Sequence, residues 1–201
     1  MKLSQEKHQE ILEVLNSLEN TNRNSLNSFS VTEIVDFLTA SHTRFTNVCI
    51  PKIEQNFMLL IDYFQDNDNL KILFNLFLKF ESDFKNHLAI EEKTLFPYAK
   101  KIYKASVGNS LTEALFIHFG KYSVKDFADS HKNNECYLTE IIFLFQKQKE
   151  LHNHTIYNVL MKQLCQLDNE IKTHGWIEDN VLVSKVEEIE TAIEGFVNSN
   201  S

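Results

Sequence analysis

The chain has 201 residues and a formal net charge of -8, with Arg23 and Arg44 its only arginines. That balance excludes a nucleic-acid surface, because binding phosphate needs clustered Lys and Arg. Four Gly and two Pro leave few breakers among abundant Leu, Phe, Glu, Lys, Ile and Asn, so the composition predicts one all-α domain, long enough to bury its core without staples. Residues 3 to 18 carry Ile11, Leu15 and Leu18 on one stripe and predict a short amphipathic helix. The Asn/Ser-rich stretch from Glu19 to Ser28 has no periodicity and reads as a linker. Residues 1–28 are therefore set apart from a main body over 29–201.

Ser30 and Glu33 have the spacing of a capping box, with Phe29 and Ile34 placed for a hydrophobic staple. They open a first long helix that keeps Val35, Leu38, His42, Phe45, Cys49 and Ile53 on one face to about Tyr63, with a kink expected at Pro51. The Gln-Asp-Asn-Asp-Asn run at 65 to 69 is a turn. A second long helix is predicted from about Leu70 to Tyr103, with Phe77, Phe80, Phe84, His87, Glu91 and Leu95 on its core stripe and a bend at Pro97. A loop around Val107, Gly108 and Asn109 follows, and Ser110 with Glu113 caps a short helix.

Ser123 is placed to cap a third long helix carrying Phe127, His131, Glu135, Leu138 and Ile142 inward. The fourth, from about Asn153 to Phe196, presents Leu160, Leu164, Leu167, Ile171, His174, Glu178 and Leu182 on one face. The fold expected is an up-down four-helix bundle with a short extra N-terminal helix.

His42, His87, His131 and His174 recur at gaps of 45, 44 and 43 residues. In antiparallel helices of similar length this places one histidine per helix at about the same height. His87 and His174 are each followed four residues later by a glutamate, Glu91 and Glu178, and residues four apart share a helical face. Imidazole with carboxylate suits iron, manganese or zinc. Four His and two Glu exceed one tetrahedral zinc and suffice for two ions of higher coordination, about 3.5 to 4 Å apart. For any one inward histidine a hydrogen-bonded core role stands beside ligation. Glu135, four residues after His131, reads equally as a third carboxylate ligand or as a partner orienting that imidazole. His8, His118, His152 and His154 fall away from the common level and read as solvated or capping residues.

Cys49, Cys136 and Cys165 are widely spaced and form no C-x-x-C pair, so neither a disulfide framework nor a thiolate metal site is expected. No apolar stretch approaches the roughly 18 residues of a membrane span, which makes the cytoplasm the expected location. No serine-histidine-aspartate triad or phosphate-cradling glycine loop occurs, so organic catalysis has no positive support.

Two stretches carry a family resemblance. Asn86-His-Leu-Ala-Ile-Glu-Glu-Lys-Thr-Leu-Phe-Pro97 resembles the H-x-x-x-E-E-x-x-L-F-P signature of the hemerythrin-like (HHE cation-binding) family, and Thr173-His-Gly-Trp-Ile-Glu-Asp-Asn180 resembles its second signature. Leu38 to His42 and Asp129-Ser-His131 are similar to the family's first- and third-helix elements. The similarity covers about residues 29 to 190 and is nearest to the di-iron proteins for repair of iron centres and to hemerythrin-domain proteins of Bacteroidetes.

The resemblance implies two non-haem iron ions, oxo or hydroxo bridged, with His42, His87, Glu91, His131, His174 and Glu178 as ligands and both glutamates bridging. Manganese or zinc is the alternative filling. It implies iron-sulfur cluster repair or a response to nitrosative and oxidative stress, with O2, NO or damaged iron-sulfur proteins as partners, or else an O2- or NO-binding sensor or carrier. A homodimer is left open. The chain departs from the family in three places: no cysteine precedes Cys49, Val181-Leu-Val-Ser184 stands where the family often repeats L-F-P, and Gly175 follows His174 and weakens the helix locally.

Overall fold

The computed structural model describes residues 7, 9–11, 13, 26, 28–108, 124 and 136–199. Its elements are all helical, with no strand among the described residues. No described helix is long and apolar enough to cross a membrane. Of the expected N-terminal helix, residues 7, 9–11 and 13 are helical and Ile11 is buried; Leu15 and Leu18 lie outside the described residues.

Helix α1 spans Val31–Arg44 and starts as its sequence dictates. The Ser30 backbone N–H donates to the Glu33 carboxylate at 2.8 Å, and the Glu33 N–H donates back to the Ser30 hydroxyl at 3.3 Å. Two orphan donors at the helix start are thereby satisfied. Phe29 and Ile34 are buried in one cluster, as a staple requires. The hydrogen bond from the Ser30 backbone, opposed by partial burial, holds the Glu33 carboxyl below its ordinary value of 4.5. A lowered carboxyl stabilises the fold above the ordinary value and loses that contribution as pH falls through the folded value. Ser30→Ala is expected to cost about 1 kcal/mol at neutral pH. Glu33→Gln, which removes the titrating carboxyl, should flatten the decline of melting temperature below pH 4.5. Circular dichroism melts from pH 3 to 7 check both, and an unchanged acid limb would contradict the second.

The first long helix runs to Tyr63, as the sequence predicted, but changes its winding in the turn before Pro51. Phe45–Cys49 is a π-helical turn, with the Ile50 N–H reaching back to the Phe45 carbonyl, and helix α2 then runs over Ile50–Tyr63 with Pro51 in its first turn. A proline ring crowds the carbonyl four residues earlier and offers no N–H to it, here at Asn47, and the wider turn relieves both defects.

Asn67 closes the predicted turn by accepting the Leu70 N–H on its side-chain oxygen at 3.0 Å, which caps helix α3 over Asp68–Lys93. The bend expected at Pro97 lies earlier, at Thr94, and helix α4 spans Leu95–Val107. The physical reason is the same, since the carbonyl four residues before Pro97 belongs to Lys93, the last residue of α3. Pro97 then sits in the first turn of α4, where a missing N–H costs little.

Of the third predicted helix, α5 is described over Cys136–Gln146, with Leu138 and Ile142 buried. Ser110, Glu113, Ser123, Phe127, His131 and Glu135 lie outside the described residues. The fourth long helix winds without a gap but in three segments: α6 over Thr155–Ile177, a π-helical segment over Glu178–Val183, and α7 over Ser184–Ser199. Leu160, Leu164, Leu167 and Ile171 are buried along α6, as their periodicity predicts.

The chain divides into two compact units, one of Met1–Ala40, Ile90–His131 and Gly175–Ser201, the other of Ser41–Ala89 and Lys132–His174. The divisions fall within continuous helices, after Ala40 in α1, Ala89 in α3 and His174 in α6. The first unit buries Ile34, Leu38, Leu95, Ile102 and Leu182 in its core. There the Tyr98 hydroxyl donates to the buried Glu190 carboxylate.

The second unit centres on aromatic rings. Phe57 is fully buried, with its ring 5.3 Å from Phe74, 5.5 Å from Phe77 and 5.6 Å from Phe145. Phe57→Ala removes dispersion contacts on three sides and leaves a cavity, so it is expected to cost about 3–5 kcal/mol. Urea unfolding followed by circular dichroism measures this, and a loss below about 1 kcal/mol would contradict a well-packed ring cluster.

Candidate metal centre

His42 lies two residues before the end of α1, at 2% exposure, and His174 lies three residues before the end of α6, at 5%. The stripes that bury Leu38 and Ile171 carry these imidazoles inward with them. Their Nε2 atoms are 3.1 Å apart, and their ring centroids are 4.8 Å apart with the planes tilted by 46°. Phe45 presents its ring edge-on to His174 at 5.7 Å and lies 5.8 Å from Phe84, so apolar rings flank the pair.

Glu91, on α3, is fully buried. Each of His42, Glu91 and His174 offers one ligand atom, and these atoms all lie within 4.8 Å of one another. This buried His/Glu/His cluster could hold a metal ion.

The donor chemistry fits. Two nitrogens each about 2.0–2.1 Å from a shared cation, the usual zinc-imidazole length, subtend roughly a right angle at this spacing. A carboxylate removed from water is costly when ionised, and a cation beside it offsets that cost. Two imidazoles and one carboxylate suit divalent iron, manganese or zinc. A shared N–H···N hydrogen bond between neutral imidazoles would give a similar spacing, and the carboxylate is what favours a cation over it.

The sequence predicted six ligands. His42, Glu91 and His174 are brought together, and the group does not include His87 or Glu178. His87, one turn before Glu91, is half-buried. Glu178 is fully buried and opens the π-helical segment after α6. His131 and its neighbour Glu135 lie outside the described residues. His152 is exposed and hydrogen-bonded to the Gln146 carbonyl, and His154 packs its ring 4.4 Å from Tyr63, which is consistent with their exclusion from the ligand set. Cys49 and Cys165 are free and half-buried, and burial pushes the Cys49 thiol up.

Sequence reasoning missed the surroundings of the pair. Arg44 donates to the Glu170 carboxylate, whose other oxygen accepts from Gln166 at 2.9 Å. That bond raises the already high Arg44 value, with burial opposing it. The π-helical turns beside His42 and at Glu178 were also missed. The one available signal was Pro51, which calls for some relief of the helix in the turn before it.

No family model, curated protein or solved structure matches the chain, so the reading of this centre rests on its own residues.

Proposed function

We propose that this chain is a hemerythrin-like four-helix bundle that holds a non-haem di-iron centre and serves iron-sulfur cluster repair or the response to nitrosative and oxidative stress. His42, His87, Glu91, His131, His174 and Glu178 are the proposed ligands, with both glutamates bridging. The observation that carries this reading is the buried His42, Glu91 and His174 cluster. Three of the proposed donors lie there in one small volume, and full burial of Glu178 is what a fourth would require.

Bound iron would supply redox and Lewis-acid chemistry toward small oxidants and sulfur ligands. The chain's own contributions follow from its geometry. His42 and His174 offer ring nitrogens, Glu91 offers a carboxylate, and the rings of Phe45 and Phe84 flank the imidazoles. Release of iron to a damaged cluster in a partner protein needs weakly held metal, and a ligand set without thiolate suits that task better than a thiolate cage. The proposed setting is the cytoplasm.

Anaerobic reconstitution with Fe(II), followed by elemental analysis and Mössbauer spectroscopy, tests the centre; two coupled irons per chain are expected, and a metal-free product defeats the proposal. Reactivation of an oxidatively damaged [4Fe–4S] enzyme by wild type but not by His87→Ala tests the repair role. An O2- or NO-binding role is the second reading, favoured by the apolar rings beside His174. Stopped-flow mixing of the reduced protein with O2 separates the two: a stable, reversible optical band supports carriage or sensing, whereas rapid irreversible oxidation supports repair.

A further inference from the structure

The Arg44 guanidinium stands two residues beyond His42, and the carboxylate it binds, on Glu170, stands one helical turn before His174. This contact therefore ties α1 to α6 beside the facing imidazoles. Both Glu170 oxygens are engaged, one by Arg44 and one by Gln166, which fixes the plane of the carboxylate. Immediately after Arg44 the backbone leaves α-helical winding for the Phe45–Cys49 π turn, and the Thr46 hydroxyl donates to the His42 carbonyl at 2.9 Å. A π turn loosens the regular register that would otherwise fix the angle of His42 from both sides. The cross-link at Arg44 and the Phe45 ring against His174 take over that role.

We infer that Arg44 and Glu170 are a positioning pair that sets the gap between the His42 and His174 nitrogens, and through it the affinity of the centre for a divalent cation. The inference rests on reading the two imidazoles as metal ligands. As a folding contact the bridge is minor, because its side chains keep 48% and 25% of their exposure and water screens the charges. Its leverage is geometric. Donor atoms must be held within about 0.5 Å of the productive arrangement, and loss of a residue supporting a ligand costs roughly 10- to 100-fold in metal affinity.

The test compares wild type, Arg44→Ala, Glu170→Ala and the charge-swapped double variant Arg44→Glu/Glu170→Arg. Co(II) affinity is read by competition with a chromophoric chelator, and the melting temperature of each metal-free protein is read alongside. Each single variant is expected to weaken Co(II) binding by about 10-fold or more. The metal-free melting temperature should fall by no more than about 3 °C. The swapped pair should recover most of the affinity, because the two residues act through each other.

Single variants that bind as wild type would overturn the inference, and so would a swapped pair no better than the singles. A wild type that takes up no Co(II) would defeat the metal reading itself, and a metal-free measurement then still decides the bridge. Imidazole 15N shifts of His42 and His174 should move in Arg44→Ala and return in the swapped pair; shifts that stay put in Arg44→Ala would overturn the positioning role.

Discussion

Replacing His42 and His174 together with leucine is expected to abolish metal uptake. The two Nε2 atoms face each other at 3.1 Å in a buried setting, so each imidazole shares its polar neighbourhood with the other. Leucine approximates the volume lost but leaves the buried Glu91 carboxylate among apolar side chains, so the metal-free double variant should be less stable than wild type. His42→Leu alone removes one of the two nitrogens. Metal affinity should fall in both, by more than the 10- to 100-fold, roughly, that follows loss of a residue merely supporting a ligand. Elemental analysis after reconstitution and urea unfolding of the metal-free forms give the two readouts. A double variant that still retains stoichiometric metal would remove His42 and His174 from the ligand set.

The second large effect concerns Glu91, whose side chain has 0% exposure. Glu91→Gln keeps size and shape but removes the charge that favours a cation among the nitrogens of His42 and His174. At a metal concentration about 1,000 times Kd, binding to the folded state alone stabilises by about 4 kcal/mol. For a chain of this length that corresponds to roughly 8–16 °C in Tm. In Glu91→Gln the metal-dependent rise should shrink to less than half of the rise in wild type. Differential scanning calorimetry with and without metal measures both. Equal rises in the two proteins would show that the carboxylate takes no part in binding.

The local starts of helices were legible because they depend on neighbours in sequence. Ser30 with Glu33, and Asn67 ahead of α3, satisfy donors three residues away, so tertiary context has little to add. The burial of Leu160, Leu164, Leu167 and Ile171 was legible for a similar reason, since a 3.6-residue period defines a face before anything packs on it. Helix continuity was not. Pro51 and Pro97 were read as kinks at their own positions, whereas the backbone yields at Phe45–Cys49 and at Thr94, because the strain falls on the carbonyl four residues earlier.

The candidate site shows the same division. That His42, Glu91 and His174 lie on inward faces is a property of spacing, available from the residues alone. Spacing does not say how far inward. A residue four positions along is offset by about 40° around the helix, so Glu91 can be fully buried while His87, on the same helix, is only half-buried. The sequence by itself determined an all-helical chain, its caps, its apolar stripes and the side chains able to bind a metal, because each follows from local periodicity and donor chemistry. Only the tertiary structure decided which donors share a few ångströms, where the helices change winding, and that Arg44 meets Glu170. The His42–His174 and Arg44–Glu170 contacts join residues more than a hundred positions apart, and their distances depend on how whole helices pack rather than on any pattern along one of them.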